Sequence, residues 1–455
     1  MDSNFRDIRK NVHEICGMIG YTEEIMEIVW KKVGMEDEEI IKSFYKKEQS
    51  RSCEFSFANN ILWAPYYHIK YAIVEGSLVF ASGTPVESVS FPLGKEHVKE
   101  TIDALISYFQ ENKQEFKMHL VTHEQFERLD KLFPGEFHIE YNRDYVKKGI
   151  ISRKEWDFYT ISDDEMQILV SFANINIGGY VAAKLVNLKT GEVICDSVQY
   201  FIGANKHVSH SIPDRPSRFK DKIGKTEFDF HTKENERTLS FSGKYKGEAV
   251  EVFAGMEIME GLESITTVFP FSEDKTKYFM TTKQLCMPCE GKFKFGDYEY
   301  EFTKDKAFCS VDWGRVNTIH EMVWYWGAGA QYLTDAKGDE HLFSFEITWA
   351  IGDESNATET CLFYDGKIHK IGAVDVEKFP KNRFMEPWKF ISEDGRFNMT
   401  MVPTLDNHSD VDFKVGRMNC HQVFGIWNGD VTLDDGTKIE IKNMFSFCEY
   451  VENKW

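Results

Sequence analysis

The sequence predicts an α+β domain over residues 1–150, followed by an all-β region in which antiparallel strands form two barrels over 151–310 and 311–455. Three observations carry this reading. Helical spacing is confined to the first third of the chain. From about Trp156 onward, turn dipeptides recur between runs of alternating polarity. Aromatic residues make up 15% of the chain, with 37 Phe, and such side chains favour strands and lined cavities. A length of 455 residues with 42% hydrophobic content is enough for two or three cores.

In the first domain, EEIMEIVWKKVG (23–34) and DEEIIKSFYKK (37–47) show helical spacing. IKYAIVEGSLVFASG reads as a strand pair turning at Glu75-Gly76. HVKETIDALISYFQENK places Val98, Ile102, Leu105 and Phe109 on one helical face. KMHLV is a short strand, and Thr122 with Gln125 forms a capping box for a helix over EQFERLDKLF that Pro134-Gly135 ends. In the β region the turns are LKTGEV, YKGEAV, KFGDYEY, DAKGDE, YDGK, EDGR and LDDGTK. Around them Tyr298, Tyr300 and Phe302 alternate with Glu299 and Glu301, and Ile439 and Ile441 with Glu440 and Lys442. An internal echo supports two barrels: ILVSFANINIGGYVAAKLVNLKTGEVI after Trp156 and LFSFEITWAIGDESNATETCLFYDGKIH after Trp326.

A formal net charge of −20 argues against nucleic acid or an anionic membrane as partner, since both require a basic surface. No apolar run reaches the ~20 residues that cross a bilayer, so membrane insertion is not expected. The N-terminus carries no signal-peptide pattern, and nine scattered cysteines fit reduced thiols, so the expected location is cytoplasmic. The CMPC at 286–289 has no second pair at zinc spacing and no redox-type strand–helix context. Walker, Rossmann, H-E-x-x-H and G-x-S-x-G patterns are absent, so no cofactor or metal is expected.

KEWDFY (154–159), VDWGR (311–315), WYWGAG (324–329), NATET (356–360) and VFGIWNGDVTLDDGTKIEIKNMFSFCEYV (423–451) resemble the DUF2804 family over about 150–455. That family is similar to the lipocalin-like double barrels of carotenoid hydratases, kievitone hydratase and fungal Diels–Alderases. The resemblance implies two lipocalin-like antiparallel barrels that bind a small molecule. The N-terminal domain resembles the first half of another family, DUF2156, through RSCEFSFANNILWAPYY, FPLGKEHVKETIDALISYF and LFPGEFHIEYNRDY. This resemblance implies half of an acyltransferase-type (GNAT) fold, without the R-x-x-G-x-G/A pyrophosphate loop and without the second half.

The candidate chemistry lies in the β region. Asp312, between Val311 and Trp313, is a proton donor if it faces an aromatic barrel lumen, and otherwise forms a structural ion pair with Arg315. Trp324 and Trp326 share a strand face and, with Trp313 and Trp349, form either pocket walls or a large core. Glu346 and Glu359 would assist as an acid/base pair, although strand alternation leaves Glu346 open to solvent. His421 is a base or a core histidine, with Arg417 and Glu449 on the same closing strands. In KEWDFY, Trp156 and Phe158 share one face, and Glu155, Asp157 and Tyr159 share the other as a polar pocket edge. Together these residues point to an apolar or aromatic small-molecule ligand and to cofactor-independent hydration, isomerisation or cyclisation. Two alternatives remain: a lipocalin-like carrier or sensor, and an acyl or aminoacyl transferase in the N-terminal domain.

Overall fold

The computed structural model describes residues 28–48, 56–94, 96–133, 137, 152–203, 206–209, 216–274, 277–335, 337–354, 358–376, 383–412 and 416–454. Two units divide the chain, Met1–His138 and Ile139–Trp455.

The first unit holds β1 (Lys31–Lys32), α1 (Glu38–Glu48), α2 (Phe57–Tyr67), β2 (Lys70–Val74), β3 (Ser77–Ser82), β4 (Ser88–Ser90), α3 (Val98–Glu111), β5 (Met118–His119) and α4 (His123–Leu132). Its sheet runs in the order β1-β2-β3-β4-β5. The pairs are antiparallel except β4–β5, where Val89 faces Met118 in parallel register. A parallel neighbour needs a crossover, and α3 supplies it. The stripe Val98, Ile102, Leu105 and Phe109 is buried as its spacing requires. The Thr122 hydroxyl accepts from the Gln125 backbone N–H and Gln125 Oε1 accepts from the Thr122 N–H, closing the capping box. One expectation fails. Of the segment 23–34, residues 28–34 are not helical, and Lys31–Lys32 instead pair with Lys70 and Tyr71 as an edge strand. Residues 23–27 lie outside the described residues. Helix α2 went unread in the sequence because Pro65 sits inside it.

In the second unit the first sheet contains β6 (Arg153–Ser162), β7 (Met166–Asn174), β8 (Gly178–Asn187), β9 (Val193–Ile202), β10 (Ser217–Ile223), β11 (Thr226–Thr232), β12 (Glu236–Tyr245), β13 (Glu248–Glu257), β14 (Ile265–Pro270), β15 (Tyr278–Phe295), β16 (Tyr298–Phe302) and β17 (Phe308–Asn317). The second contains β18 (Glu321–Thr334), β19 (Glu340–Trp349), β20 (Cys361–Tyr364), β21 (Lys367–Lys370), β22 (Val374–Val376), β23 (Trp388–Ser392), β24 (Phe397–Asp412), β25 (Arg417–Thr432) and β26 (Lys438–Lys454). All pairs in both sheets are antiparallel. The first sheet runs β10-β11-β12-β13-β15-β17-β6-β7-β8-β9, and β9 comes round to lie against β10 and β12. The second runs β21-β20-β19-β18-β26-β25-β24-β23-β22, with β22 against β19. Each is a curled, nearly closed barrel-like sheet.

All seven turns read from the sequence join hairpin neighbours: β8–β9, β12–β13, β15–β16, β18–β19, β20–β21, β23–β24 and β25–β26. The internal echo has a structural counterpart. In each sheet the last strand pairs with the first, β17 with β6 and β26 with β18, and a meander of three more strands follows: β7-β8-β9 and β19-β20-β21. Each sheet has its own core. Tyr159, Val170, Phe230, Phe293 and Trp313 belong to the first, and Phe345, Trp388, Met399 and Trp427 to the second. A third apolar layer lies between the sheets, with Leu285, Trp326, Ala328, Phe424 and Phe447. The barrels pack on each other through β6, β7, β15 and β17 on one side and β18, β19 and β26 on the other, so where these strands meet both of their faces are covered. That layer positions the site.

Candidate functional site

Strand alternation separates the two faces of β17. Cys309, Val311 and Trp313 point into the first barrel, so Phe308, Ser310, Asp312 and Gly314 point out at the second. On β6 the outward set is Trp156, Phe158, Thr160 and Ser162, and on β15 it is Thr281, Lys283 and Leu285. From the other sheet, Trp324, Trp326 and Ala328 on β18 and Ser344, Glu346 and Thr348 on β19 come to meet them. Asp312 therefore faces the seam between the barrels and not a barrel lumen.

At the centre of the seam lies Lys283, a buried lysine. Its Nζ is 3.0 Å from Asp312 Oδ1, 3.4 Å from Glu346 Oε1 and 3.8 Å from Glu359 Oε1. It also lies 4.2 Å from the centre of the Trp326 ring, on the negative π face. Trp156 Nε1 donates to Asp312 Oδ2 at 3.0 Å. The Thr281 hydroxyl donates to Glu359 Oε2, and the Thr348 hydroxyl lies 2.7 Å from Glu359 Oε1 and 3.1 Å from Glu346 Oε1. Gly314 makes the Trp156 contact possible: a Cβ there would sit 2.0 Å from the indole ring. Glu346 Oε2 and Trp326 Nε1 are buried without a hydrogen-bond partner among the described residues.

The charges do not balance, with three carboxyls around one ammonium and all four side chains buried. Burial opposes the charge on Lys283, but the fields of Asp312, Glu346 and Glu359 outweigh it and hold the ammonium above the usual lysine range. Burial pushes the Asp312 carboxyl up, and Lys283 pulls part of the way back. Glu346 is raised well above the carboxylate range, first by burial and then by repulsion from Glu359 and Asp312, against the pull of Lys283. Its Oε1 faces the Lys283 ammonium at 3.4 Å and the Thr348 hydroxyl at 3.1 Å, whereas its Oε2 points into the apolar wall.

Asp312, Glu346 and Trp326 also line a narrow cleft along the seam, together with Phe158, Phe308, Phe424 and Phe447. It is narrow, and part of it is open to solvent. Phe158 meets the Trp326 ring edge-on at 5.8 Å, and Trp326 meets Phe447 at 5.1 Å.

A fourth acid, Glu449, lies on β26 opposite Trp326, with Trp324 Nε1 donating to it at 3.1 Å. Burial raises its carboxyl to about 7, and Asp312 adds to the effect. A raised acid is neutral in the fold, so its contribution to stability is complete below the unfolded value near 4.5 and is lost as pH rises through about 7. Melting curves between pH 5 and 8 should therefore fall less steeply for Glu449→Gln than for the parent protein. Identical slopes would show that Glu449 is ionised throughout.

The predicted residues divide between the seam and other places. Asp312, Glu346, Glu359, Trp156, Trp324 and Trp326 meet in it. Glu346 is fully buried, against the expectation of solvent access, because β19 has the second core on one face and the first barrel on the other. Asp312 does not pair with Arg315. The Arg315 guanidinium bonds Asp157 and Ser209 and stacks on Trp313 at 4.1 Å, facing into the first barrel. Trp313 and Tyr159 are core residues of that barrel, and Tyr159 packs on Phe230. Trp349 belongs to the second core, stacked on Tyr325 at 4.5 Å. His421 is clamped between Phe384 and His408 and bonds Asp406 at 2.8 Å, apart from the cleft. Arg417 pairs with Asp410 on the surface. The sequence reading missed Lys283. Its signal was a lone charge in the run YFMTTKQLCMPC that opens β15. Among the described residues no three His, Cys, Asp or Glu side chains converge as a metal site. No described helix is long and apolar enough to cross a membrane.

The second unit is thus a pair of curled antiparallel sheets with a buried lysine–carboxylate cluster and an aromatic cleft between them. The family model described as "Domain of unknown function (DUF2804)" matches residues 136–455, and the chain belongs to that family. No curated protein matches the chain. Among solved structures, a conserved protein of unknown function from Bacteroides thetaiotaomicron VPI-5482 is 23% identical over 29% of this chain, with a TM-score of 0.24. The match spans 42% of that protein's length. Kievitone hydratase from Nectria haematococca is 12% identical, with 69% of this chain and 92% of that one covered and a TM-score of 0.41. A protein assigned as AttH from Nitrosomonas europaea is 7% identical, with 70% and 98% covered and a TM-score of 0.40.

Proposed function

We propose that the seam between the two barrels binds an apolar, unsaturated small molecule and catalyses proton transfer to it without a cofactor. The observation that carries the reading is the pair Glu346 and Asp312 in one aromatic cleft wall beside Lys283, with burial favouring the protonated form of both carboxyls and most strongly that of Glu346. Paired carboxyls in such a setting are the working parts of acid–base catalysis. The donor role suits Glu346 better than Asp312, because Lys283 and Trp156 already hold both oxygens of Asp312. Glu346 gives its proton to one carbon of a double bond. Water adds to the other carbon, and Asp312 takes the proton that water releases, so the product gains one water. Without water, proton return from a neighbouring position isomerises the double bond instead. Trp326 and Phe447 would face the developing cation with their rings, and the dry wall strengthens every charge in it.

Incubation with an extract of the host, followed by native mass spectrometry, identifies the ligand. A compound recovered with one added water, or as an isomer, supports the proposal. One recovered unchanged supports the carrier reading, in which the acids only brace the two sheets. On an identified substrate, Glu346→Gln should lower kcat by about 10²–10⁴. Unchanged turnover removes Glu346 from the chemistry.

A second reading concerns the N-terminal unit as half of an acyltransferase-type fold. Its support is the strand order, antiparallel through β4 and then parallel to β5 across α3. A CoA adduct in the same mass spectrum would move the chemistry there.

A further inference from the structure

One hydroxyl stands between two buried carboxyls. Thr348 Oγ1 lies 2.7 Å from Glu359 Oε1 and 3.1 Å from Glu346 Oε1, and all three residues are buried. A threonine hydroxyl has one hydrogen to give. The shorter contact has the length of a hydroxyl donating to a carboxylate, so the hydrogen points at Glu359. The longer contact then sets two oxygens against each other unless Glu346 supplies a hydrogen of its own.

The donors around the other oxygens lead to the same place. Both oxygens of Glu359 meet a hydroxyl, Thr281 at Oε2 and Thr348 at Oε1. Both oxygens of Asp312 meet an N–H, Lys283 at Oδ1 and Trp156 at Oδ2. Glu346 has Lys283 at 3.4 Å from Oε1, and its Oε2 has no partner among the described residues. Of the three carboxyls it is the one short of donors, and burial favours its neutral form. A hydrogen on Oε1 aimed at Thr348 gives the hydroxyl oxygen its donor and leaves the ammonium to Asp312.

The bridge also leads away from the cleft. Glu346 lines the cleft, whereas Thr348 and Glu359 do not. Behind Glu359, in the connection between β19 and β20, lies the half-buried Glu354, which accepts from the Ile351 N–H at 3.1 Å. Burial, and the charge of Glu359 with it, raises the Glu354 carboxyl, so the two acids lie within each other's field.

We propose that Thr348 is a proton relay: Glu346 holds its proton against the Thr348 hydroxyl and exchanges it with Glu359 through that hydroxyl, on the side of the seam away from the cleft. The step balances. As Glu346 gives its hydrogen to Thr348 Oγ1, Thr348 gives its own to Glu359 Oε1. In reverse, a proton arriving on Glu359 recharges Glu346 after it has acted, even while a substrate fills the cleft. This rests on the reading of Glu346 as the acid and adds how that acid is kept protonated. Thr348 touches no substrate and is a positioning residue.

Infrared spectra of the full chain at neutral pH test this, because the C=O stretch of a protonated carboxyl is separate from the carboxylate and amide bands. Glu346→Gln should remove one such band. On transfer to D2O that band shifts as O–H becomes O–D, and the time of the shift measures proton exchange at Glu346. Thr348→Val, similar in shape but without the hydroxyl, should slow the exchange by about tenfold or more, the size of one hydrogen bond removed from the path. Thr348→Ser, which keeps the hydroxyl, should restore the parent exchange time. Glu359→Gln, which ends the route one step further out, should slow it as Val does, and serves if the Val variant does not fold. A spectrum without a band that Glu346→Gln removes overturns the proposal, as does an exchange time that a folded Thr348→Val or Glu359→Gln protein leaves unchanged. No substrate is present in these spectra, so loss of the relay and failure of the acid–base reading are separate results. The first appears in the exchange time, the second in kcat of Glu346→Gln.

Discussion

Lys283→Met is expected to cost about 3–5 kcal/mol of folding stability near neutral pH, because it leaves Asp312, Glu346 and Glu359 facing one another in a dry seam. The pH dependence follows from the direction of each shift. A lysine whose folded pKa lies above the unfolded 10.5 stabilises the fold at every pH below that value, so the loss covers the whole neutral range. Burial has raised Asp312 and Glu346, so both take up protons readily as the pH falls, and in the variant the repulsion fades with them. The deficit should therefore be larger at pH 8 than at pH 5 by urea unfolding. A deficit below about 1 kcal/mol at both values, the size of an exposed pair, would show that the cluster is open to water.

Gly314→Ala is the second change with a large expected effect. The added Cβ meets the Trp156 ring at 2.0 Å, and Gly314 sits in a strand paired on both sides, so the ring must move. The expected cost is about 1–3 kcal/mol, the usual range for overpacking a filled interior. Displacing Trp156 also removes its bond to Asp312, which leaves Asp312 harder to ionise. Chemical denaturation gives the first quantity. The pH at which substrate turnover falls off on the acid side gives the second, and it should move upward. An unshifted profile with unchanged stability would mean that the Trp156 ring does not rest on Gly314.

The hairpins were legible because their cause is local. A glycine turn at Lys246-Gly247 or Asp365-Gly366, with period-two alternation on either side, is a statement about neighbouring residues only. The same alternation correctly grouped Trp156 with Phe158, and Trp324 with Trp326. It could not say which group faced a cleft. The reading assumed one buried face and one open face for each strand, and so allowed Glu346 solvent and gave Glu155, Asp157 and Tyr159 the pocket edge. In this protein the outer faces of β6, β17 and β19 are also covered, β19 fully and the other two in large part, because each barrel shields the other from solvent.

Lys283 shows the limit most clearly. Its partners lie at 312, 346 and 359, on three other segments from two sheets, and no spacing links them. By itself the sequence determined the class of each region, the places of the seven hairpin turns, and the side chains that share a face in the alternating stretches, since all of these follow from turn chemistry and the two-residue period of a strand. Only the tertiary structure decided that the outward sets of two different barrels meet. That decision depends on how the sheets curl and pack, and it turns a lone lysine and three scattered acids into one site.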